Sequence, residues 1–541
     1  MRGTLILALV LAPWLAGGSY GAEPPDVGRT AQSIDKLLAS EYGADCWKRP
    51  AEDAVLLRRV FLDIIGQPPT PDDVLAYLAD PRPDKAERIV EQLLADPAYG
   101  TNWARYWRDV MLARRSEPRA VLASRSLERF LADAFNEGRS WGAIAREFIT
   151  ARGDVRENGA TAIILAQGGR PEGTVSELSR IFCGIQIQCA QCHDHPTDRW
   201  KREQFHQLAA FFPRVAVRPT RNAEQRSFLV TVTDFQFRRR RRPANNNRFR
   251  GTLEHRMPDL EHPNDPGTLM EPVFFVTGQS LKQGASDAER REALAEWMTS
   301  PDNPWFAKAY VNRMWMEWVG HGFYEPVDDM GPERDVRSPA VLELLARRFT
   351  ESGYDPKWLV RVITRTRAYR QRSTALAGCG DCSPAIASPQ RLRADQLFSA
   401  ISVALDLDLD RLGPVRRPGV GPGRRGPRAA FANTFGYDPS DPREEITGSI
   451  AQALAVMNSR YLTNFLAAGN PRSVVARTLR DYPRDDAAAV DAIYLRFLSR
   501  LPTFNESRRA VRAMKTAGSR AEGLEDLAWA LANSTEFLYR R

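Results

Sequence analysis

Apolar residues recur at helical spacing along most of the chain. Val74, Leu75, Tyr77 and Leu78 form one face behind the start signal Thr70-Pro71-Asp72-Asp73, which joins a hydroxyl N-cap, a first-position Pro and acids in the first turn. Lys85–Leu94, Trp103–Leu112 and Ser140–Thr150 continue the pattern, so residues 30–215 read as helices joined by short turns. The period changes over residues 216–284. Phe228, Val230 and Val232 alternate with other residues as in a strand, and Pro272–Thr277 reads as a second β-like run. Helical spacing returns over residues 285–541. Ser286-Asp287-Ala288-Glu289 is a capping box, and Ser338-Pro339 opens a helix carrying Val341, Leu342, Leu344 and Leu345. Residues 412–428, rich in Pro, Gly and Arg, read as a loop, with helices resuming near Ile450. The pattern predicts a mainly α protein: two helical domains joined by a small β-containing insert.

One phrase is used twice. Leu62 precedes Pro69-Thr70 as Leu495 precedes Pro502-Thr503, and an acid follows in the first helical turn (Asp73, Glu506). The next helix ends in Leu94-Ala95-Asp96-Pro97-Ala98-Tyr99 in one case and Leu531-Ala532-Asn533-Ser534-Thr535-Glu536-Phe537 in the other. A repeated helix-turn-helix unit and common capping grammar both account for this.

Residues 1–22 read as a secretory signal: a positive start at Arg2, an apolar run from Leu5 to Leu15, and Ser19-Tyr20-Gly21 before the cleavage point. No later stretch approaches the length of a membrane helix. The expected location is therefore periplasmic, extracellular or cell-surface, with no membrane span after cleavage. The formal charge is +9, or +9 − 1 = +8 without Arg2, which is the one charged residue of the signal. The excess is concentrated in Arg238–Arg242 with Arg248 and Arg250, and in Arg416, Arg417, Arg424, Arg425 and Arg428. Export and the lack of a nucleic-acid module argue against nucleic acid as the partner. A solvated loop, or one touching anionic polysaccharide or lipid, fits better.

The sharpest chemical feature is Cys189-Ala190-Gln191-Cys192-His193, followed by Asp194 and His195. Its spacing is that of a c-type haem attachment site, in which two thiols add to the haem vinyl groups and the adjoining His ligates iron. Export agrees, because attachment takes place outside the cytoplasmic membrane. Three alternatives stand beside covalent haem c: zinc held by Cys189, Cys192, His193 or His195 and a distant residue; a disulfide with structural histidines; and a catalytic metal site using Asp194 or Asp198. His195 follows His193 too closely to reach the opposite haem face, so His206, His255, His262, His321 and Met257 are the candidates for a sixth ligand. An iron with no sixth protein ligand would be open to small ligands.

Cys379-Gly380-Asp381-Cys382 lacks a following His and reads as a local disulfide; Cys46 and Cys183 either pair or remain thiols. Trp103, Tyr106 and Trp107, and the pair Trp315 and Trp318, read as core packing. Asn312-Arg313 and Asp328-Asp329 read as a buried ion-pair network in preference to a site. No nucleophile elbow, phosphate loop or HExxH motif is present, so no catalytic activity is assigned.

Several phrases carry a family resemblance. Arg58-Arg59-Val60-Phe61-Leu62-Asp63, Gly66-Gln67-Pro68-Pro69-Thr70-Pro71 and Phe182–Asp198 with Leu208-Ala209-Ala210-Phe211-Phe212 resemble the planctomycete cytochrome-c-like domain of unknown function (PSCyt type). Asn303-Pro304-Trp305-Phe306-Ala307, Val311-Asn312-Arg313-Met314-Trp315, Glu325-Pro326-Val327-Asp328-Asp329, Ala368-Tyr369-Arg370, Arg393-Ala394-Asp395-Gln396-Leu397 and Gly448–Leu454 with Met457-Asn458 resemble its partner domain (PSD type). The resemblance implies an exported protein whose relatives stand beside sulfatase-like proteins, and hence an association with surface polysaccharide. Tyr106 stands where the resemblance leads one to expect His, and Cys183, Thr197, Glu317 and His321 also depart from it. Motif and compartment together lead to the expectation of an exported haem-c protein in electron transfer with a redox protein or exported enzyme. The alternative is a non-haem structural or polysaccharide-associated protein with zinc or a disulfide at the CxxCH.

Overall fold

The computed structural model describes residues 24–43, 46–220, 227–232, 254–373, 385–409, 427–442, 446 and 448–541. Residues 1–22, the Arg238–Arg250 segment, Arg416 to Arg425 and the Cys379–Cys382 pair lie outside the described residues. The chain is mainly α-helical, with a small β-containing insert. Among the described residues, no helix is long and apolar enough to cross a membrane.

Local signals place most helix starts. Thr70 and Asp73 form a reciprocal capping box on helix Pro71–Ala79, and Ser286 and Glu289 do the same on Asp287–Thr299. The expected Trp103–Leu112 helix begins earlier, at Pro97, because the Asp96 side chain accepts from Ala98 N–H and Pro97 suits the first helical position.

The largest core draws on helices from both sides of the insert, from Ala31 to Ile386, together with Leu495. Its centre is aromatic. Trp103 stacks on Trp318 with centroids 5.9 Å apart, and Trp107 stacks on Tyr310 at 5.7 Å while meeting Trp141 at 4.3 Å. A second core contains Leu62 and runs from Leu392 to Phe537. The two cores therefore divide near residue 390. The reason lies in helix Pro304–Val319, where every residue except Pro304 and Lys308 is buried. A helix apolar all round needs cover on every side, and Pro97–Leu112 and Pro171–Cys183 supply part of it.

The insert begins with Val215–Pro219 pairing antiparallel with Phe228–Val232, which pairs on its other edge with Gly153–Asp154. The strand expected at residue 228 is thus present. The β-like run at Pro272–Thr277 is not a strand: it makes one isolated bridge, Val273 to Ser280, and then turns. Gly278 N–H donates to Phe274 O at 2.8 Å with Gly278 at φ 75°, which sends both Phe274 and Phe275 into the core. Two consecutive buried side chains depart from the in–out alternation of a half-buried strand.

The repeated phrase is a repeated structure. Asp53–Ile65, Pro71–Ala79 and Lys85–Ala95 are matched in order by Asp486–Leu498, Phe504–Thr516 and Arg520–Ala532. The first helix of each set ends in a left-handed residue, Gly66 or Ser499, and each second helix starts with a capping box. The units also touch: Arg58 donates to Phe497 O at 3.1 Å and Ser499 Oγ at 3.0 Å. Arg428, which the sequence placed in a solvated basic cluster, instead packs over the Phe398 ring and donates to Asp395 O at 2.9 Å.

A candidate haem-attachment turn

Helix Pro171–Cys183 stops at Gly184, whose φ of 69° is left-handed. A Cβ here would lie 2.5 Å from Met330 Sδ, so glycine serves both the turn and the close approach. Met330 N–H donates to Gly184 O at 2.7 Å, and Gln186 Nε2 donates to Asp328 Oδ1 at 3.0 Å. The chain then forms the 3-10 helix Ile187–Gln191. Side chains three apart eclipse in this geometry. Ile187 and Ala190 are accordingly buried, while Cys189 and Cys192, the residue that caps the helix, are exposed thiols. His193 follows directly and is exposed.

The two histidines of the motif are set up differently. His193 Nδ1 lies 2.7 Å from Asp194 O. A carbonyl only accepts, so Nδ1 carries the proton and Nε2 presents its lone pair. A metal-ligating imidazole normally donates its other N–H to a carbonyl or carboxylate in this way. His195 is buried, and its Nδ1 accepts from Thr197 N–H at 3.3 Å, which puts the proton on Nε2. His195 N–H also closes the loop onto Trp200 O at 2.8 Å. His193 is thus held at Nδ1 by the carbonyl of Asp194, and His195 braces the loop.

Of the neighbouring acids, Asp194 is committed on both oxygens and Asp198 on one. Asp194 accepts from Arg202 N–H and Lys201 Nζ, each at 3.0 Å. Those bonds, the Arg202 one foremost, hold its carboxyl below the ordinary range. Asp198 Oδ1 accepts from Arg199 N–H at 2.6 Å, and its Oδ2 is buried against Gly331.

Among the sixth-ligand candidates, His206 and His255 lie under the turn. His206 Nε2 is 3.0 Å from Gln191 O, and His206 Nδ1 is 2.9 Å from His255 Nε2. His255 Nδ1 faces Glu172 Oε1 at 3.8 Å. Burial, and for His206 the neighbouring His255, pushes both imidazoles down to about 4. His321 is buried with Nδ1 3.5 Å from Glu325 Oε1. His262 is exposed beside Asp259 and Asp265, with ligand atoms within 4.8 Å of one another. Among the described residues this is where three such side chains converge; Cys189, Cys192, His193 and His195 do not converge in that way. Met257 lies in the two-residue pairing with Thr268–Leu269. Tyr106 is fully buried between Trp103, Trp107 and Arg393, on the inner side of its helix. Cys183 is a core thiol, pushed up to about 12 by burial, with Asn303 Nδ2 at 3.6 Å.

The floor of the turn is a buried ion network. Arg180 donates to Glu177 at 2.6 Å and to Asp328 Oδ2 at 2.8 Å, with Arg313 and Arg114 each 3.6 Å from the same oxygen. Asp328 is fully buried. The structural reading of Arg313 and Asp328 is what the network shows. Asn312 likewise spends both ends of its amide on Phe323, Tyr324 and Val327 backbone. Sequence reasoning missed Arg180, Glu177, Glu172 and the Gln191 carbonyl. For His206 a weak signal existed: it shares the inner helix face with Ala209, beside Phe205 and Leu208.

Residues 33–217 match the family model PSCyt2, a protein of unknown function (DUF1549), and residues 290–514 match PSD1, a protein of unknown function (DUF1553). The chain carries both segments in the order its motifs led one to expect. No curated protein and no solved structure matches it.

Proposed function

We propose that this chain is an exported c-type haem protein that exchanges electrons with a redox protein or an exported enzyme. One observation carries the reading: Cys189 in a 3-10 turn and Cys192 at its cap are both exposed thiols, and the adjoining His193 has Nδ1 bound to a carbonyl, leaving Nε2 to ligate. Each thiol would add across a vinyl double bond, its hydrogen passing to the neighbouring carbon, and His193 Nε2 would hold the iron. Bound haem supplies one-electron redox chemistry. The chain contributes orientation, because the carbonyl of Asp194 fixes the His193 ring and the Ile187 and Ala190 side chains anchor the turn from below. His206 and His255 are engaged with each other and with Gln191, and His321 faces Glu325.

The second reading is a non-haem structural or polysaccharide-associated protein, with zinc or a disulfide on the same cysteines. The test produces the full chain with a haem-attachment system and measures its pyridine-haemochrome spectrum, zinc content and free thiols. The expected product is a haem bound through thioethers that survives acid–acetone extraction. A colourless full-length protein would overturn the proposal. Bound zinc with reduced cysteines, or an oxidised pair without haem, would favour the second reading.

A further inference from the structure

The last carbonyls of a helix have no partner inside it, and a buried carbonyl left unpaired is costly. At the end of Ile187–Gln191 the Gln191 carbonyl is met by His206 Nε2 at 3.0 Å. This bond dictates the protons behind it. Gln191 O can only accept, so His206 donates from Nε2. A neutral His206 then accepts at Nδ1, and His255 must donate from Nε2 across the 2.9 Å contact. His255 Nδ1 is left as a lone pair, 3.8 Å from Glu172 Oε1. Both rings are buried and meet edge to edge, nearly coplanar with centroids 5.2 Å apart, and Phe205 lies close to perpendicular against His206. Arg202 and Glu172 are the charged groups that bear on His206 besides its partner.

We propose that His206, backed by His255 and Glu172, is a positioning residue for the thiol turn: through the Gln191 carbonyl it keeps Cys189 and Cys192 on one face. What that face receives rests on the haem reading, but its geometry does not. The polarity of the relay has a further consequence. A first added proton goes to His255 Nδ1, where the Glu172 carboxylate 3.8 Å away balances its charge, and leaves the bond to Gln191 intact. A second would set His206 Nδ1–H against His255 Nε2–H and break the chain.

The test uses the haem-free full chain. Phenylarsine oxide joins two thiols on one face, forming two As–S bonds and releasing water, and the adduct is read by mass spectrometry. His206→Gln retains an N–H donor for Gln191 O, whereas His206→Phe does not. Capture by the Phe variant should be slower by about tenfold, the equivalent of one hydrogen bond, with the Gln variant near wild type. Nitrogen-15 imidazole spectra of the unmutated protein at pH 7 should show His206 protonated on Nε2, so the proposal remains testable if the Phe variant does not fold. Equal capture by both folded variants, or His206 protonated on Nδ1, would overturn it. Failure of haem loading with these differences intact would sink only the haem reading.

Discussion

Replacing Asp328 by Asn removes one charge from a fully buried side chain. The neighbourhood contains Arg180, Arg313 and Arg114 against Glu177, Asp328 and Asp438, so the charges balance. Asparagine keeps the shape, and its Oδ1 still accepts from Gln186 Nε2, so the turn geometry is preserved. The change is therefore electrostatic: it leaves a buried excess of positive charge centred on Arg180, which is itself buried. Removing one partner of a buried ion pair costs about 3–5 kcal/mol. Asp329→Asn, next in sequence, is the control, because its pair with Arg334 is partly exposed on both sides and is worth about 1 kcal/mol or less. Urea unfolding followed by tryptophan fluorescence reads the right core, since Trp103, Trp107, Trp141, Trp315 and Trp318 all lie in it. Burial pushes the Asp328 carboxyl up, but Arg180, Arg313 and Arg114 outweigh it and hold the group below the ordinary range. Its contribution is then full above the unfolded value of 3.8 and is lost as pH falls through the lower folded value, so the gap between wild type and variant should narrow in acid. Equal losses for the two variants, or a loss under about 1 kcal/mol for Asp328→Asn, would refute the reasoning.

Acid should weaken the fold through the histidine pair. Unfolded imidazoles charge near pH 6.5 while His206 and His255 stay neutral to about 4, so stability falls as pH drops across that window, by up to about 1.4 kcal/mol per unit for each ring; a His206→Gln, His255→Gln double variant should flatten the urea midpoint against pH, and an unchanged slope would count against the neutral pair. Gly184→Ala combines a left-handed φ of 69° with a Cβ 2.5 Å from Met330 Sδ, and should cost about 1–3 kcal/mol. Gly278→Ala has a similar φ of 75° but nothing within 4 Å, so its thermal midpoint should fall less.

What was legible in the sequence was what neighbours in sequence decide. The capping boxes at Thr70 and Thr503 close within three residues, and they appear where the residues place them. The Cys189–Cys192 spacing specifies a shared face as soon as the segment takes one helical turn. The misread turn at Pro272–Thr277 depended on Gln279 and Gly278, beyond the apolar run that suggested a strand. The division of the cores was hidden for a stronger reason. Nothing within Pro304–Val319 shows that Trp318 stacks on Trp103, more than two hundred residues earlier. The histidines show the same limit. His193 is marked by the two cysteines before it, whereas His206 and His255 carry no such motif, and their roles appear only when a carbonyl from Gln191 and a carboxylate from Glu172 are placed beside them.

The contacts around Gly184 bear on how the two family segments relate. The thiol turn belongs to residues 33–217, yet the bonds that set its entry come from Asp328 and Met330, inside residues 290–514. Arg180 of the first segment and Arg313 of the second share the Asp328 carboxylate, and their helices share the aromatic core. The first segment expressed alone would expose the Gly184 turn, leave Arg180 short of a buried counter-charge and uncover the aromatic face that Trp318 and Tyr310 now cover. The second segment is thus part of the support of the motif in the first. This accounts physically for a cysteine pair carried on the surface of a large two-core protein: the turn is short and exposed, and its rigidity is supplied by groups distant in sequence on the buried side.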